Sequence, residues 1–194
     1  MSANAPANLP RLQVSAYTVT TAAAQGRATL LEALRARRSG LQLNDFELAL
    51  VPTWIGRVPG LESAVLPAHF APWDCRNNRL VWLGLQQDDF LSAVARARER
   101  YGNDRVAVLL GTSTSSIGET EAAYRELEQG EFAPKYRRPR VHTPHATGHF
   151  VLHALGLEGY SCTVATACSS SAKVFAQAQR LIHTGAVDAA VVGG

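Results

Sequence analysis

Two hydrophobic periods divide this chain. Short apolar or alternating runs at 12–20, 54–58, 105–111, 161–167 and 187–192 predict strands. The run at 105–111, RVAVLLG, is apolar almost throughout, as expected of a central strand covered on both faces. Between these runs, apolar residues recur at threes and fours and predict helices. Helix 28–38 would turn Leu30, Leu31 and Leu34 inward, with Ser39-Gly40 ending it. The longest helical stretch, 79–101, carries Leu80, Leu83, Leu85, Phe90, Leu91, Val94 and Ala97 as its stripe, and Gly102 stops it. Shorter helices are predicted over 119–128 and 145–155. The last, 169–184, spaces Ala172, Phe175, Ala176, Gln179 and Ile182 along one side and stops at Gly185. Residues 1–10 read as an N-terminal tail, and 50–67 and 130–144 as turn-rich connections. The alternation of strands and helices predicts a layered α/β domain over 11–194.

The switch between the run at 161–167 and the final helix carries Cys168. The first turn of a helix has N–H groups without intrahelical partners and a partial positive charge. A thiolate placed there is stabilised, and its nucleophilic fraction at neutral pH rises. The same N–H groups can hold an oxyanion formed on an attacked carbonyl. Ala167, Ser169, Ser170 and Ser171 are small and leave room for a substrate. This is the layout of a nucleophile elbow with sulfur as the nucleophile. A second reading stands beside it on position alone: a free cysteine is often a small buried hydrophobe, and the three serines could simply satisfy the helix start.

Composition narrows the classes. The chain has 194 residues, 46% hydrophobic and 18% charged, with a net charge of +3. That charge gives no reason to expect a nucleic-acid partner. No apolar run reaches membrane-spanning length, and the polar start MSANAPANLP lacks the basic and apolar parts of a secretion signal. A cytoplasmic location is therefore expected. Cys75, Cys162 and Cys168 form no C-x-x-C pair, so no zinc ribbon or dithiol motif is expected. If Cys162 and Cys168 shared one extended strand they would lie about 20 Å apart, too far to bridge, and reduced thiols are expected. His145, His149 and His153 recur every four residues, but three residues spread over about 12 Å of helix cannot hold one ion. They read as core-edge or helix-packing residues; neither a metal nor a cofactor is expected.

The stretch T-A-C-S-S-S at 166–171, its alanine-rich helix and the following D-A-A-V-V-G-G at 188–194 resemble the active-site segment of the β-ketoacyl synthases. The resemblance extends upstream through the G-L-E-G turn at 156–159 and the helix ending in basic residues and Ser39-Gly40. It implies the N-terminal half of a thiolase-like fold. It further implies that Cys168 accepts an acyl group from an acyl carrier protein, for decarboxylative condensation with a malonyl thioester in fatty acid, polyketide or aryl-polyene synthesis. A homo- or heterodimer is implied as well. The family's two histidines lie in its C-terminal half, one in an H-G-T-G-T motif. None of His69, His142, His145, His149, His153 or His183 stands in such a context. The chain alone is therefore expected to be inactive in condensation, and the small, apolar surface of helix 169–184 is expected to make it aggregate or dimerise. The basic segment with Lys135, Arg137, Arg138 and Arg140 reads as a solvated loop, or as a docking patch for an acidic carrier. Two other readings remain: a thiolase-fold enzyme acylated from coenzyme A, and a non-catalytic partner subunit, against which Cys168 argues.

Overall fold

The structure is a computed structural model and describes residues 11–46 and 51–194. In chain order the regular elements are α1 (Arg27–Arg35), β1 (Leu41–Leu43), β2 (Trp54–Gly56), α2 (Arg76–Leu85), α3 (Phe90–Tyr101), β3 (Val106–Gly111), α4 (Ile117–Arg125), α5 (Ala146–Ala154), β4 (Ser161–Val164), α6 (Ser170–His183) and β5 (Ala189–Gly193). Short 3-10 turns lie at Ala68–Trp73, Pro134–Tyr136 and Ala167–Ser169. The predicted tail 1–10 lies outside the described residues. Two compact units emerge, one comprising 11–15, 94–117 and 142–194, the other 16–46, 51–93 and 118–141.

The first unit is a layered α/β assembly. Its three-stranded parallel sheet has the order β4-β3-β5. Val108 faces Ser161 and Gly111 faces Val164 on one side; Val106 faces Ala189 and Leu110 faces Gly193 on the other. Every residue of β3 is buried, as its continuous apolar run predicts. Parallel neighbours need crossover connections, and α5 and α6 lie on those connections. Ala107 and Leu109 of the sheet pack with Val174 and Ala178 of α6 and with Val187 into one core, flanked by Cys162, Val164 and Val192. The stop at Gly185 is as expected. Its φ is 71°, its N–H donates to the Ile182 carbonyl, and the Ala186 N–H donates to the Leu181 carbonyl. Arg105 clamps the same turn: its guanidinium donates to the Gly185 and Ala186 carbonyls at 3.0 Å and to Asp188 at 2.8 Å.

The second unit holds the β1–β2 hairpin, antiparallel with Gln42 opposite Ile55, together with α1 and α2. Asp88 caps α1, accepting the Arg27 N–H at 3.0 Å and pairing with its side chain at 3.3 Å.

Four expectations are corrected. The stretch 12–20 is not a strand. It is largely exposed, and its one ladder contact is an isolated bridge from Thr20 to Gln25. The helical stretch 79–101 is two helices, broken where Asp88 and Asp89 both adopt φ near 60°, a left-handed conformation no helix interior tolerates. In α1 the buried residue is Ala33, while Leu31 and Leu34 are exposed. In α6 the buried line is Ser170, Val174 and Ala178; Ala172, Phe175 and Ala176 face outward. Among the described residues, no helix is long and apolar enough to cross a membrane.

Candidate active site

β4 ends at Val164, three residues earlier than its apolar pattern suggests. Ala165 and Thr166 leave the sheet, and a single 3-10 turn, Ala167–Ser169, leads into α6. Cys168 is the middle residue of that turn and is exposed. Ala167, immediately before it, has φ 51°. A non-glycine residue there is strained, and such strain persists only where surrounding contacts over-determine the backbone. Those contacts are visible. The Ser170 N–H donates to the Ala167 carbonyl. The Ser169 hydroxyl donates to the Thr166 carbonyl at 2.9 Å. The Ser170 hydroxyl accepts the Thr166 N–H at 2.8 Å.

The turn also rests on the end of β3. A Cβ built on Gly111 would lie 2.6 Å from both the Ser170 carbonyl carbon and the Ser171 nitrogen. Only glycine lets the start of α6 sit this close to the strand. On the other side, a Cβ on Gly194 would lie 2.5 Å from the Ser171 hydroxyl oxygen. The small residues around Cys168 therefore serve two ends. They leave the sulfur accessible, and they let the helix start press against the sheet.

The three thiols are free and differ in setting. Cys75 is 2% exposed, and burial pushes its thiol up from the ordinary value. Cys162 is half-buried on β4, beside the edge of the core. Cys168 alone of the three is exposed.

The three histidines at 145, 149 and 153 lie elsewhere in the same unit. His145 precedes α5, and His149 and His153 follow on its exposed face, while Ala146, Thr147, Phe150 and Val151 cover the opposite face. The His145 and His149 rings stack with centroids 5.8 Å apart. Partial desolvation, then the neighbouring His145 and His153, hold His149 below the ordinary imidazole value. Among the described residues, no group of three or more His, Cys, Asp or Glu is placed to hold a metal ion. In the second unit the basic segment is tied down locally. Lys135 pairs with Glu126 at 2.6 Å, Arg138 pairs with Glu119 and donates to the Asp74 carbonyl, and Arg140 lies over the Trp73 ring. Arg137 is exposed. An open groove of about 480 Å³, lined by Tyr17, Val19, Leu30, Leu31, Leu34 and Asp88 among others, contains no residue of the cysteine turn.

Residues 83–194, more than half of the chain, match the family model for the β-ketoacyl synthase N-terminal domain. The chain belongs to the β-ketoacyl synthase family. Its fold is the N-terminal half of a thiolase-like domain, and solved structures agree. A structure of the ketosynthase ApeO in complex with its chain length factor ApeC, from Xenorhabdus doucetiae, aligns over 93% of this chain with 25% identity and a TM-score of 0.72. The ketosynthase from module 6 of the bacillaene synthase of Bacillus subtilis 168 aligns over 90% with 17% identity and a TM-score of 0.58, a likeness of fold alone. The chain spans 46% and 29% of those two chains. No curated protein matches it.

Family membership and fold thus agree with the resemblance carried by T-A-C-S-S-S. What sequence reading missed at this site is the role of Ser170 and Gly111. The spacing of small residues marks where backbones can approach, but which strand end approaches the helix start is a property of the folded sheet.

Proposed function

We propose that this chain is the N-terminal half of a condensing acyltransferase in which Cys168 is the acyl-accepting nucleophile. The observation that supports this best is the position of Cys168: exposed, on a strained turn, directly ahead of α6. In the first half-reaction the Cys168 thiolate attacks the thioester carbonyl of an acyl carrier. A tetrahedral oxyanion forms, the carbon–sulfur bond to the carrier breaks, and the carrier leaves as its thiolate. N–H groups at the start of α6 are suited to hold that oxyanion. In the second half-reaction a malonyl thioester loses carbon dioxide. The carbanion left behind attacks the acyl-Cys168 carbonyl, the new carbon–carbon bond forms, and Cys168 departs as the thiolate.

The second half-reaction needs donors to hold the malonyl thioester oxygen as charge builds on it. We assign none of the histidines of this chain to that task. In this reading the donors come from the C-terminal half of the domain, and residues 1–194 alone load an acyl group without extending it.

Pairing with a second thiolase-fold chain, identical or not, is part of the proposal. β4 is an edge strand of the sheet, its residues are half-buried, and Tyr160 beside it is exposed. A carrier protein is the proposed acyl donor, with coenzyme A as the alternative. Arg137 is the cation in 130–144 through which docking to an acidic carrier is most readily tested.

The deciding experiment is intact-mass detection of acyl transfer from an acyl-carrier thioester and, in parallel, from acyl-coenzyme A. The expected result is an adduct on Cys168, lost in Cys168→Ala. An adduct that persists in Cys168→Ala, or none from either donor, would sink the assignment.

A further inference from the structure

Ser170 is 1% exposed, although it opens a helix and follows five exposed residues. A buried hydroxyl must be paired to be tolerated, and this one is paired into the turn that carries Cys168. It accepts the Thr166 N–H at 2.8 Å and donates to the Ala167 carbonyl at 2.7 Å, with the Thr112 carbonyl at 3.5 Å. Both bonded groups lie on the N-terminal side of Cys168, one on the last residue before the turn and the other on the residue held at φ 51°, while Ser170 itself lies on the C-terminal side. Behind Ser170, Gly111 leaves no space for the helix start to retreat.

We infer that Ser170 is a positioning residue for Cys168. Its buried hydroxyl ties the backbone on the N-terminal side of the cysteine to the first residue of α6. This fixes the direction in which the sulfur leaves the chain and keeps it ahead of the helix N-terminus. The neighbouring serines do not share the task in the same way. Ser169 and Ser171 are exposed, so their hydroxyls can exchange partners with solvent. Without the Ser170 hydroxyl, Ala167 loses a contact that holds it in the left-handed region, and the turn can relax toward ordinary backbone. The sulfur would then lose its alignment with the N–H groups of the first turn. The inference rests on the reading of Cys168 as a nucleophile, but it can be tested separately.

The test is alkylation of the full chain by iodoacetamide, read peptide by peptide, with buried Cys75 reporting unfolding of its own unit and a circular-dichroism melt of each variant reporting unfolding of the unit that holds Ser170. Ser170→Ala is expected to slow alkylation of Cys168 about tenfold while Cys75 stays protected, because a thiol turned away from a helix N-terminus loses the electrostatic support that an attacking thiolate has there. Ser170→Thr keeps the hydroxyl and is expected to restore the wild-type rate. An unchanged or faster rate at Cys168 in Ser170→Ala, with Cys75 protected, overturns the inference. If Ser170→Ala exposes Cys75, the threonine variant decides: wild-type labelling with Cys75 protected supports the inference, and tenfold slower labelling in that folded variant overturns it. A wild-type chain that is alkylated at Cys168 yet never acylated removes the nucleophile reading, and the alkylation comparison still judges Ser170.

Discussion

At the scale of single residues, the three cysteines illustrate how setting decides reactivity. Burial keeps Cys75 protonated, and a protonated buried thiol is a poor nucleophile. Cys168 has solvent access and a helix start beside it. Iodoacetamide at neutral pH should therefore label Cys168 at least about tenfold faster than Cys75. Equal rates in the folded protein would contradict the geometry. Cys168 was legible from the chain because small residues, a β-branched run and a helical period meet around it. Its exposure was not legible, since a cysteine in that pattern could equally have faced inward. Asp188, part of the D-A-A-V-V-G-G stretch, has a structural explanation. The Arg105 guanidinium that bonds it holds its carboxyl below the usual carboxylate range and also grips the turn after α6.

At the scale of elements, the contact between β3 and the start of α6 is the tightest constraint on the site. Gly111→Ala should destabilise the protein by about 1–3 kcal/mol, the usual cost of forcing a methyl group into a packed contact. Denaturant unfolding measures this, and wild-type stability in the variant would mean the helix start can shift freely. Helix periodicity located α6 and its stop correctly, but of the apolar residues it spaced only Ile182 packs against the core, while Ala172, Phe175 and Ala176 are exposed. Alanine and serine are compatible with either side of a helix, and the identity of the covered side depends on which sheet residues meet it. The same limit applies to α1, where Ala33 is buried in place of the leucines. The break between α2 and α3 falls at Gln86–Asp89, polar residues that already leave a gap in the apolar stripe between Leu85 and Phe90. The reason for the break is tertiary: Asp88 turns away to cap α1.

At the scale of the whole molecule, two properties can be measured. The first is the pH dependence of stability. His149 sits below the ordinary imidazole value when folded, through desolvation and the neighbouring His145 and His153. The unfolded chain therefore binds a proton more readily than the folded one, so stability rises with pH across the window between the two values. His149 should favour the folded state fully above about pH 6.5. That contribution should fall away as the pH drops through the lowered folded value. Melting temperatures between pH 5 and 8 should show this slope, and His149→Gln should flatten it; an unchanged slope in the variant would refute the assignment. The second property is association. Trp54 is 62% exposed, Leu34 65% and Phe175 49%, an unusual amount of large apolar surface for an isolated soluble domain. Light scattering of residues 1–194 should report dimers or larger species, and a monodisperse monomer would argue against that expectation.

The chain's own chemistry determined the family, the layered α/β class, the central strand at β3 and the bend bearing Cys168. Each of these depends on residues adjacent in sequence: an unbroken apolar run, a change of period, a glycine at a helix stop. Only the tertiary structure decided which helix faces are covered, that 12–20 is not a strand, that Asp88 serves a distant helix, and that Ser170 and Gly111 brace the cysteine turn. Arg27 and Asp88 lie 61 residues apart and Thr112 and Ser170 58 apart, whereas the Ser170 bonds to Thr166 and Ala167 are short-range and depend on the strained turn. No local pattern encodes the distance between two surfaces that the fold has yet to bring together.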